Sequence, residues 1–270
     1  MKVNPESNII QISINQIILM DKTTHHITAC VVVIGNEILS GRTQDLNISY
    51  IGKCCDELGI RLMECRVIPD VPEAILATVD ACRRVFDYVF TTGGIGPTHD
   101  DITTAVIARL FNRPIERNAA AVIAMQSYYG VDNLNEARLK MADIPVGAML
   151  IDNPVSGAPG FQIENVFVLP GVPIIMQAMF EGITDRLIGG APMLTGSVVT
   201  GLPESILADG LRELQNRYPD VAIGSYPFFR KGKLGVNIVM RTTRAATLTD
   251  ATAAVILLIR NLEGEVIKMP

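Results

Sequence analysis

The chain has 270 residues, enough for one large domain or two modest ones with a substantial core. Nearly half of them are apolar, 19% are charged and Trp is absent, the composition of an ordinary soluble α/β protein. A net charge of -5 argues against nucleic acid as a partner, and no apolar run approaches the roughly 18 residues that span a bilayer.

Residues 1–27 stand apart. "NIIQISINQIILM" is apolar, but Gln11, Asn15 and Gln16 interrupt it and no small-residue cleavage site follows, so a signal peptide is not expected. The stretch reads as an N-terminal extension before the domain proper, with an added edge strand or a subunit arm as the alternative.

"CVVVIG" (30–35) is continuously apolar and β-branched, as a buried parallel strand requires. Ile48, Ile51, Cys55 and Leu58 then keep helical spacing up to Gly59. "IRLMECRVI" (60–68) predicts the second strand. "DVPEAILATVDACRRVF" (70–86) predicts a helix that opens on Asp70, a Pro and Glu73, a capping-box pattern. "DYVFTT" (87–92) predicts the third strand and Asp101 to Phe111 the next helix. Such alternation in short units predicts a three-layer domain, a parallel sheet covered by helices on both faces.

The middle region (112–147) reads as mainly helical. Strands return at "AMLI" and "ENVFVLPG", and a helix follows from Pro173 to Ile188. "GGAPMLTG" (189–196) is small and weakly patterned and marks a boundary. Beyond it the order β-α-β-β-α predicts a small α+β domain at 196–270, after a main domain at 28–190.

Ligands of a doubly wound sheet bind at the carboxyl ends of its strands. The loops expected at that edge are "GNEILSGRTQDLN", "PD" at 69–70, "GGIGPTHDD" and "LPGVP" (169–173). In the third, Gly93, Gly94 and Gly96 let backbone amides approach an anion ahead of a helix N-terminus. No lysine lies in that loop, so phosphate charge falls to amides, to Arg42 or to a metal. Asp100 and Asp101 suit a hard divalent cation that shares its remaining sites with phosphate and water.

Plainer roles compete. Asp70 and Asp101 suit helix caps, Glu37 and Asp45 solvated loop positions, and Gly171 with Pro173 a tight turn. His99 offers a base or a ligand, though a lone loop histidine is more often neither. The cysteines (Cys30, Cys54, Cys55, Cys65 and Cys82) sit in apolar contexts without any C-x-x-C, which suits a reducing cytoplasm and gives no metal signature.

Taken together, "GNEILSGRTQDLN", "VIPD", "TTGGIGPTHDDIT", "NEARLKMADIPVGAMLIDNPVSGAPGF" and "LPGVP" resemble the molybdopterin-binding domain family, in the branch of competence/damage-inducible protein A. The tail, with "PESILADGLRELQ" and "VAIGSYP", resembles the small KH-like domain of that branch. The nicotinamide mononucleotide deamidase domain of longer members has no counterpart in this sequence. The resemblance implies a divalent-metal-dependent (Mg, Mn or Co) pyrophosphatase of ADP-ribose or a related adenine dinucleotide such as FAD. The alternatives are a molybdopterin or pterin-phosphate protein of molybdenum cofactor metabolism, with adenylyl transfer or no catalysis, and an interaction module.

On this reading Asp70 and Asp101 are catalytic, and Asp100 and Asp101 hold the metal. Gly35, Glu37, Gly41, Arg42, Asp45, Asn47, Thr92, Gly93, Gly94, Gly96, Pro97, Thr98, Gly171 and Pro173 contact nucleotide or phosphate. The resemblance also implies a homo-oligomer, dimer or trimer. The stripe Val122, Met125, Tyr128 and Tyr129 in the middle region offers either an interface or a core face.

Overall fold

The computed structural model describes residues 26–230 and 232–267; all but the last two residues of the expected N-terminal extension lie outside them. The chain divides into two compact units, one ending at Gly190 and the other starting at Ala191.

In unit 1, β1 (Thr28–Ile34) leads through the one-turn α1 (Asn36–Leu39) to α2 (Asn47–Glu57), β2 (Arg61–Ile68), α3 (Pro72–Arg83), β3 (Tyr88–Thr92) and α4 (Thr103–Leu110). The middle region then gives β4 (Ile115–Arg117), α5 (Ala119–Tyr129), the short α6 (Glu136–Leu139) and β5 (Asp143–Pro145). It closes with β6 (Met149–Ile151), β7 (Gly160–Ile163), β8 (Val166–Leu169) and α7 (Pro173–Glu181).

The main sheet runs β2-β1-β3-β8-β7-β6. Pairing is parallel from β2 through β8 and antiparallel across β8–β7 and β7–β6. The expected three-layer domain is therefore present with a mixed edge. β7 follows the turn-rich "NPVSGAP", which hides its short run of strand residues.

Alternation along β1 builds the layers. Ala29, Val31 and Val33 meet Ile51 and Cys55 of α2 and Met176, Met179 and Phe180 of α7 on one face. Cys30, Val32 and Ile34 meet Ile75, Val79 and Cys82 of α3 and Val106 and Ile107 of α4 on the other. A strand buried on both faces has no polar alternation, which accounts for the unbroken apolar run. Not every cysteine is internal. Cys65 lies exposed on β2, an edge strand whose outward positions face solvent.

The middle region is less helical than expected. β4 and β5 pair as a small antiparallel sheet bracketing α5. The apolar stripe on α5 is mostly core. Met125 is fully buried, and Val122 and Tyr129 pack on the satellite cluster it forms with Ala121 and Ala142. Tyr128 alone of the four is largely exposed, so the stripe supplies no apolar interface of its own.

Unit 2 contains β9 (Leu194–Thr200), α8 (Glu204–Arg217), β10 (Ala222–Arg230), β11 (Lys233–Thr242), α9 (Ala245–Asn261) and β12 (Val266–Ile267). Its antiparallel sheet, ordered β10-β11-β9-β12, packs Val198, Val236, Ile238 and Met240 against Leu207, Val255 and Ile259 of the two helices. This is the β-α-β-β-α order read from the sequence, with a two-residue strand added at the end. Among the described residues no helix is long and apolar enough to cross a membrane.

Phe90 sits at the centre of unit 1, with ring centroids 5.3 Å from Phe167 and 5.0 Å from Phe180. Phe90→Ala is expected to lower stability by about 3–5 kcal/mol, measured by urea denaturation, because close-packed neighbours cannot collapse into the space. A loss under about 1 kcal/mol would show that the three rings do not pack as described.

Candidate active site at the strand-order switch

The chain leaves β1 toward β2 on one side and leaves β3 toward β8 on the other, so the connections after these two adjacent strands diverge and open a crevice at the carboxyl ends. Gly35 and Gly93 flank it. Gly35 donates its amide to Ile68 O at 3.1 Å, tying the first loop to the second. Glu37 is exposed, and its carboxylate lies against Gly35 where a β-carbon would otherwise sit.

Asp70 does not cap α3, whose N-cap is Val71 with no side-chain cap. Its Oδ2 instead accepts from the Asn36 amide at 2.8 Å, at the start of α1. The carboxylate thus joins the ends of β1 and β2 across the crevice rim. Pro72 and Glu73 do begin α3, so the helix start was legible even though the capping residue was misassigned.

The glycine loop turns back over β1. Gly93 has φ 105°, and a β-carbon there would collide with the Ile34 carbonyl. Gly94 has φ 69° and abuts the Thr103 hydroxyl. Thr103, fully buried at the start of α4, donates its amide to Gly94 O at 2.9 Å and its hydroxyl to Gly93 O at 3.0 Å. The first amide of the helix is therefore spent on the loop. The amides of Gly94, Ile95 and Gly96 donate to no acceptor among the described residues and remain for an anion.

Asp101 does not cap α4 either, whose N-cap is Ile102. Its Oδ2 accepts from the Thr98 amide at 2.8 Å and lies 2.5 Å from Thr98 Oγ1. Asp100 Oδ1 lies 2.6 Å from the same hydroxyl. A hydroxyl has one proton, so it donates to one carboxylate and leaves the other facing its lone pairs. The Thr98 hydrogen bond, first of all, holds the Asp100 carboxyl below its usual range, with smaller contributions from His99 and Lys140. A β-carbon on Gly96 would sit 2.7 Å from Asp101 Oδ2, so glycine is required to let the carboxylate lie on the loop. Pro97 precedes this turn in an exposed position, and the His99 side chain is 98% exposed, 3.9 Å from Asp100 at its nearest.

The lysine absent from the loop comes from elsewhere. Lys140, just after α6, donates from Nζ to Thr98 O at 2.5 Å and to Asp101 O at 3.0 Å. It fixes both ends of the acidic turn from some forty residues downstream. Sequence reasoning missed it because nothing local links "RLKMAD" to "PTHDD".

The fourth loop closes the crevice. Asn47, only 2% exposed, donates Nδ2 to Gly171 O at 2.9 Å, and its Oδ1 is buried without a partner. A β-carbon on Gly171 would lie 3.4 Å from Gly93 Cα, so the two glycine backbones are in near contact. Pro173 occupies the first turn of α7. Thr92, at the end of β3, is buried with an unpartnered hydroxyl.

The rest of the first loop is less engaged. Asp45 Oδ1 accepts from Ile48 N at 2.8 Å, a structural role at the start of α2. Gly41 has φ 70° in open space, and exposed Arg42 donates to Ser40 Oγ at 3.1 Å. The structure thus brings Gly35, Asn47, Asp70, Thr92, Gly93, Gly94, Gly96, Thr98, Asp100, Asp101, Gly171 and Pro173 to one edge. It leaves Gly41 and Arg42 at its solvent side.

These features define a doubly wound α/β domain with an anion-receptive crevice at its strand-order switch. The sequence profile of a probable molybdopterin binding domain matches residues 30–189, and that of the FAD synthase middle domain matches residues 192–267. The chain belongs to the molybdopterin-binding domain family, among its CinA-like members. A protein of Archaeoglobus fulgidus is 37% identical over 200 residues, which cover 73% of this chain and 84% of that one. A protein of Aeropyrum pernix is 35% identical over 241 residues, 84% of this chain and 89% of that one. The crystal structure of CinA from Thermoplasma acidophilum, described as of unknown function, is 33% identical with a TM-score of 0.57, covering 60% of this chain and 99% of that one.

The Lys140 contacts predict a local effect. Charge-assisted hydrogen bonds contribute about 1.5–3 kcal/mol, so Lys140→Met should speed exchange of the bonded amides of Thr98, Asp101 and Thr103 by at least about tenfold. Exchange in unit 2 should not change. Unaltered protection of these three amides in the variant would show that Lys140 does not hold the turn.

Proposed function

We propose that unit 1 hydrolyses the phosphoanhydride of ADP-ribose or a related adenine dinucleotide such as FAD, with a divalent metal, in the cytoplasm. The observation that carries this reading is the convergence of Asp100 and Asp101 on the Thr98 hydroxyl, beside unpaired loop amides. The amides suit a phosphate, and the carboxylates suit the cation that a dianionic ligand brings with it.

The donor set fits a hard divalent ion, Mg, Mn or Co. Two carboxylates face one hydroxyl that has a single proton to share, a crowding of oxygens that a cation relieves. Among the described residues no three His, Cys, Asp or Glu side chains converge, so phosphate oxygens and water would complete the shell. When bound, the metal neutralises phosphate charge and makes a coordinated water more acidic. The chain's own residues do the positioning. Lys140 fixes the turn, Asp70 fixes the Asn36 amide at the rim, and Gly93 and Gly171 hold two loops in near contact. Phosphoanhydride cleavage needs alignment and charge stabilisation more than a covalent nucleophile, which suits a crevice built from amides and carboxylates.

A second reading is the binding of a pterin phosphate in molybdenum cofactor metabolism, with adenylyl transfer or no catalysis. The family match at residues 30–189 favours it. The match of residues 192–267 to the FAD synthase middle domain instead favours a flavin or adenine dinucleotide. Incubating the chain with ADP-ribose, FAD, NAD and adenylated molybdopterin, each with Mg, Mn or Co, and following AMP release decides between them. Release from ADP-ribose or FAD supports hydrolysis; release from adenylated molybdopterin alone supports the second reading.

Asp101→Asn is expected to cut turnover by about two orders of magnitude or more while Tm stays close to the parent. The amide keeps an oxygen for the Thr98 N–H and removes the charge. Full activity with unchanged metal dependence in this variant sinks the proposed metal role.

We also propose a homo-oligomer, dimer or trimer. The α5 stripe does not carry it, but β2 exposes Met63 (60%) and Val67 (37%), and its outer edge, which pairs with no strand among the described residues, invites a partner. Closed symmetry should give one discrete species by light scattering. A mass near 29.3 kDa at micromolar concentration means a monomer and ends this part of the proposal.

A further inference from the structure

We infer that a cleft between α5 and the β6–β7 turn seats the flat nitrogen heterocycle of the ligand, a purine or a pterin ring. The inference rests on the reading that the ligand's phosphates lie on the glycine loop. The cleft has a volume of about 370 Å³ and lies wholly within unit 1. That is at the small end of the range for small-molecule sites, the size of a ring system more than of a whole dinucleotide.

Its place follows from the sheet register. Thr92 pairs with Leu169, Val168 with Phe161, and Gly160 with Ile151. The chain therefore leaves β6 after Ile151 and enters β7 at Gly160 on the same edge where the glycine loop leaves β3. At roughly 4.8 Å per strand, the β6–β7 turn lies on the order of 10–14 Å along that edge from Gly93. A nucleoside or pterin phosphate spans such a separation with its phosphate at one end and its ring at the other.

The lining suits the ring end. Ala120 and Ala124 on α5 leave a trough, and Pro154 and Pro159 wall it with rigid apolar surface. Tyr128, 55% exposed, offers a ring face for stacking. It is held by a T-shaped contact with Tyr129 at 4.9 Å, and Tyr129 in turn lies under the Arg138 guanidinium at 4.5 Å. Gly157, with φ 72°, brings the turn against α5; a β-carbon there would lie 2.7 Å from Tyr128 Cβ.

The turn is also rigid. Asn153, 9% exposed, accepts from Val155 N and Ser156 N and donates to Ser156 Oγ and Ala158 O, all within 3.1 Å. Charge fixes the orientation of the ligand. Asp152 at the cleft repels a phosphate and accepts from the amino and ring N–H groups that purines and pterins carry. The phosphate end then belongs at the loop that carries free amides and Lys140.

The sequence has no Trp, so Tyr128→Trp introduces a single indole at the proposed seat. AMP and free pterin are titrated with Mg present, with ribose 5-phosphate and inorganic pyrophosphate as ringless controls. At least one ring-bearing probe should quench the indole, the ringless ones should not, and adding Ala124→Leu should raise the Kd of the quenching probe by about tenfold or more. AMP or pterin binding by calorimetry with silent emission overturns the assignment, as does an unchanged Kd in the Ala124→Leu background or no binding of either ring. Emission that shifts with protein concentration alone shows the cleft covered by a second copy and also overturns it. Hydrolysis of ADP-ribose with a silent indole defeats the ring seat alone; quenching without hydrolysis of any dinucleotide defeats the hydrolase reading alone.

Discussion

The site depends on backbone passing over backbone at the end of β1. The loop after β3 crosses so close to the Ile34 carbonyl that residue 93 has no room for a β-carbon, and Gly171 comes within near contact of Gly93 from the other side. A side chain at Gly93 would push the third loop off the crevice. The positive φ of Gly93 and Gly94 sets the same restriction independently, since L side chains rarely adopt that conformation. The amides of residues 94–96 donate to no acceptor among the described residues.

Around that crossing, polar groups join loops that are remote in sequence. Asp70 binds the Asn36 amide, Asn47 binds the Gly171 carbonyl, Thr103 binds the Gly93 and Gly94 carbonyls, and Lys140 binds the Thr98 and Asp101 carbonyls. Each tie uses a side chain from one connection to fix the backbone of another. A crevice organised this way is built before a ligand arrives, so little ordering entropy is lost on binding. The sheet beneath, packed on both faces through the alternating residues of β1, supplies the rigid base.

How far the sequence could be read follows from the range of each interaction. The apolar run at 30–34, the alternation of strands with helices and the glycine loop all depend on local pattern, and each is where the sequence put it. The β-α-β-β-α order of unit 2 was legible for the same reason. Capping competes with the site roles of Asp70 and Asp101 in the sequence because a cap is a local rule, yet both carboxylates accept from other backbone, one of them across 34 residues. Lys140 and the cleft at the β6–β7 turn depend on strand order, which local pattern does not encode. β7 was missed because its four residues follow a turn-rich stretch, and the α5 stripe kept two meanings until its burial was known.

The central claim is that four connections at one sheet edge form a single anion site. Backbone amide chemical-shift mapping of the full chain with inorganic pyrophosphate and Mg tests it most directly. Saturable shifts are expected only at Asn36, residues 93–101 and Gly171, with residues 191–267 unchanged. Shifts centred in residues 191–267, or none in 93–101 at saturation, would contradict it.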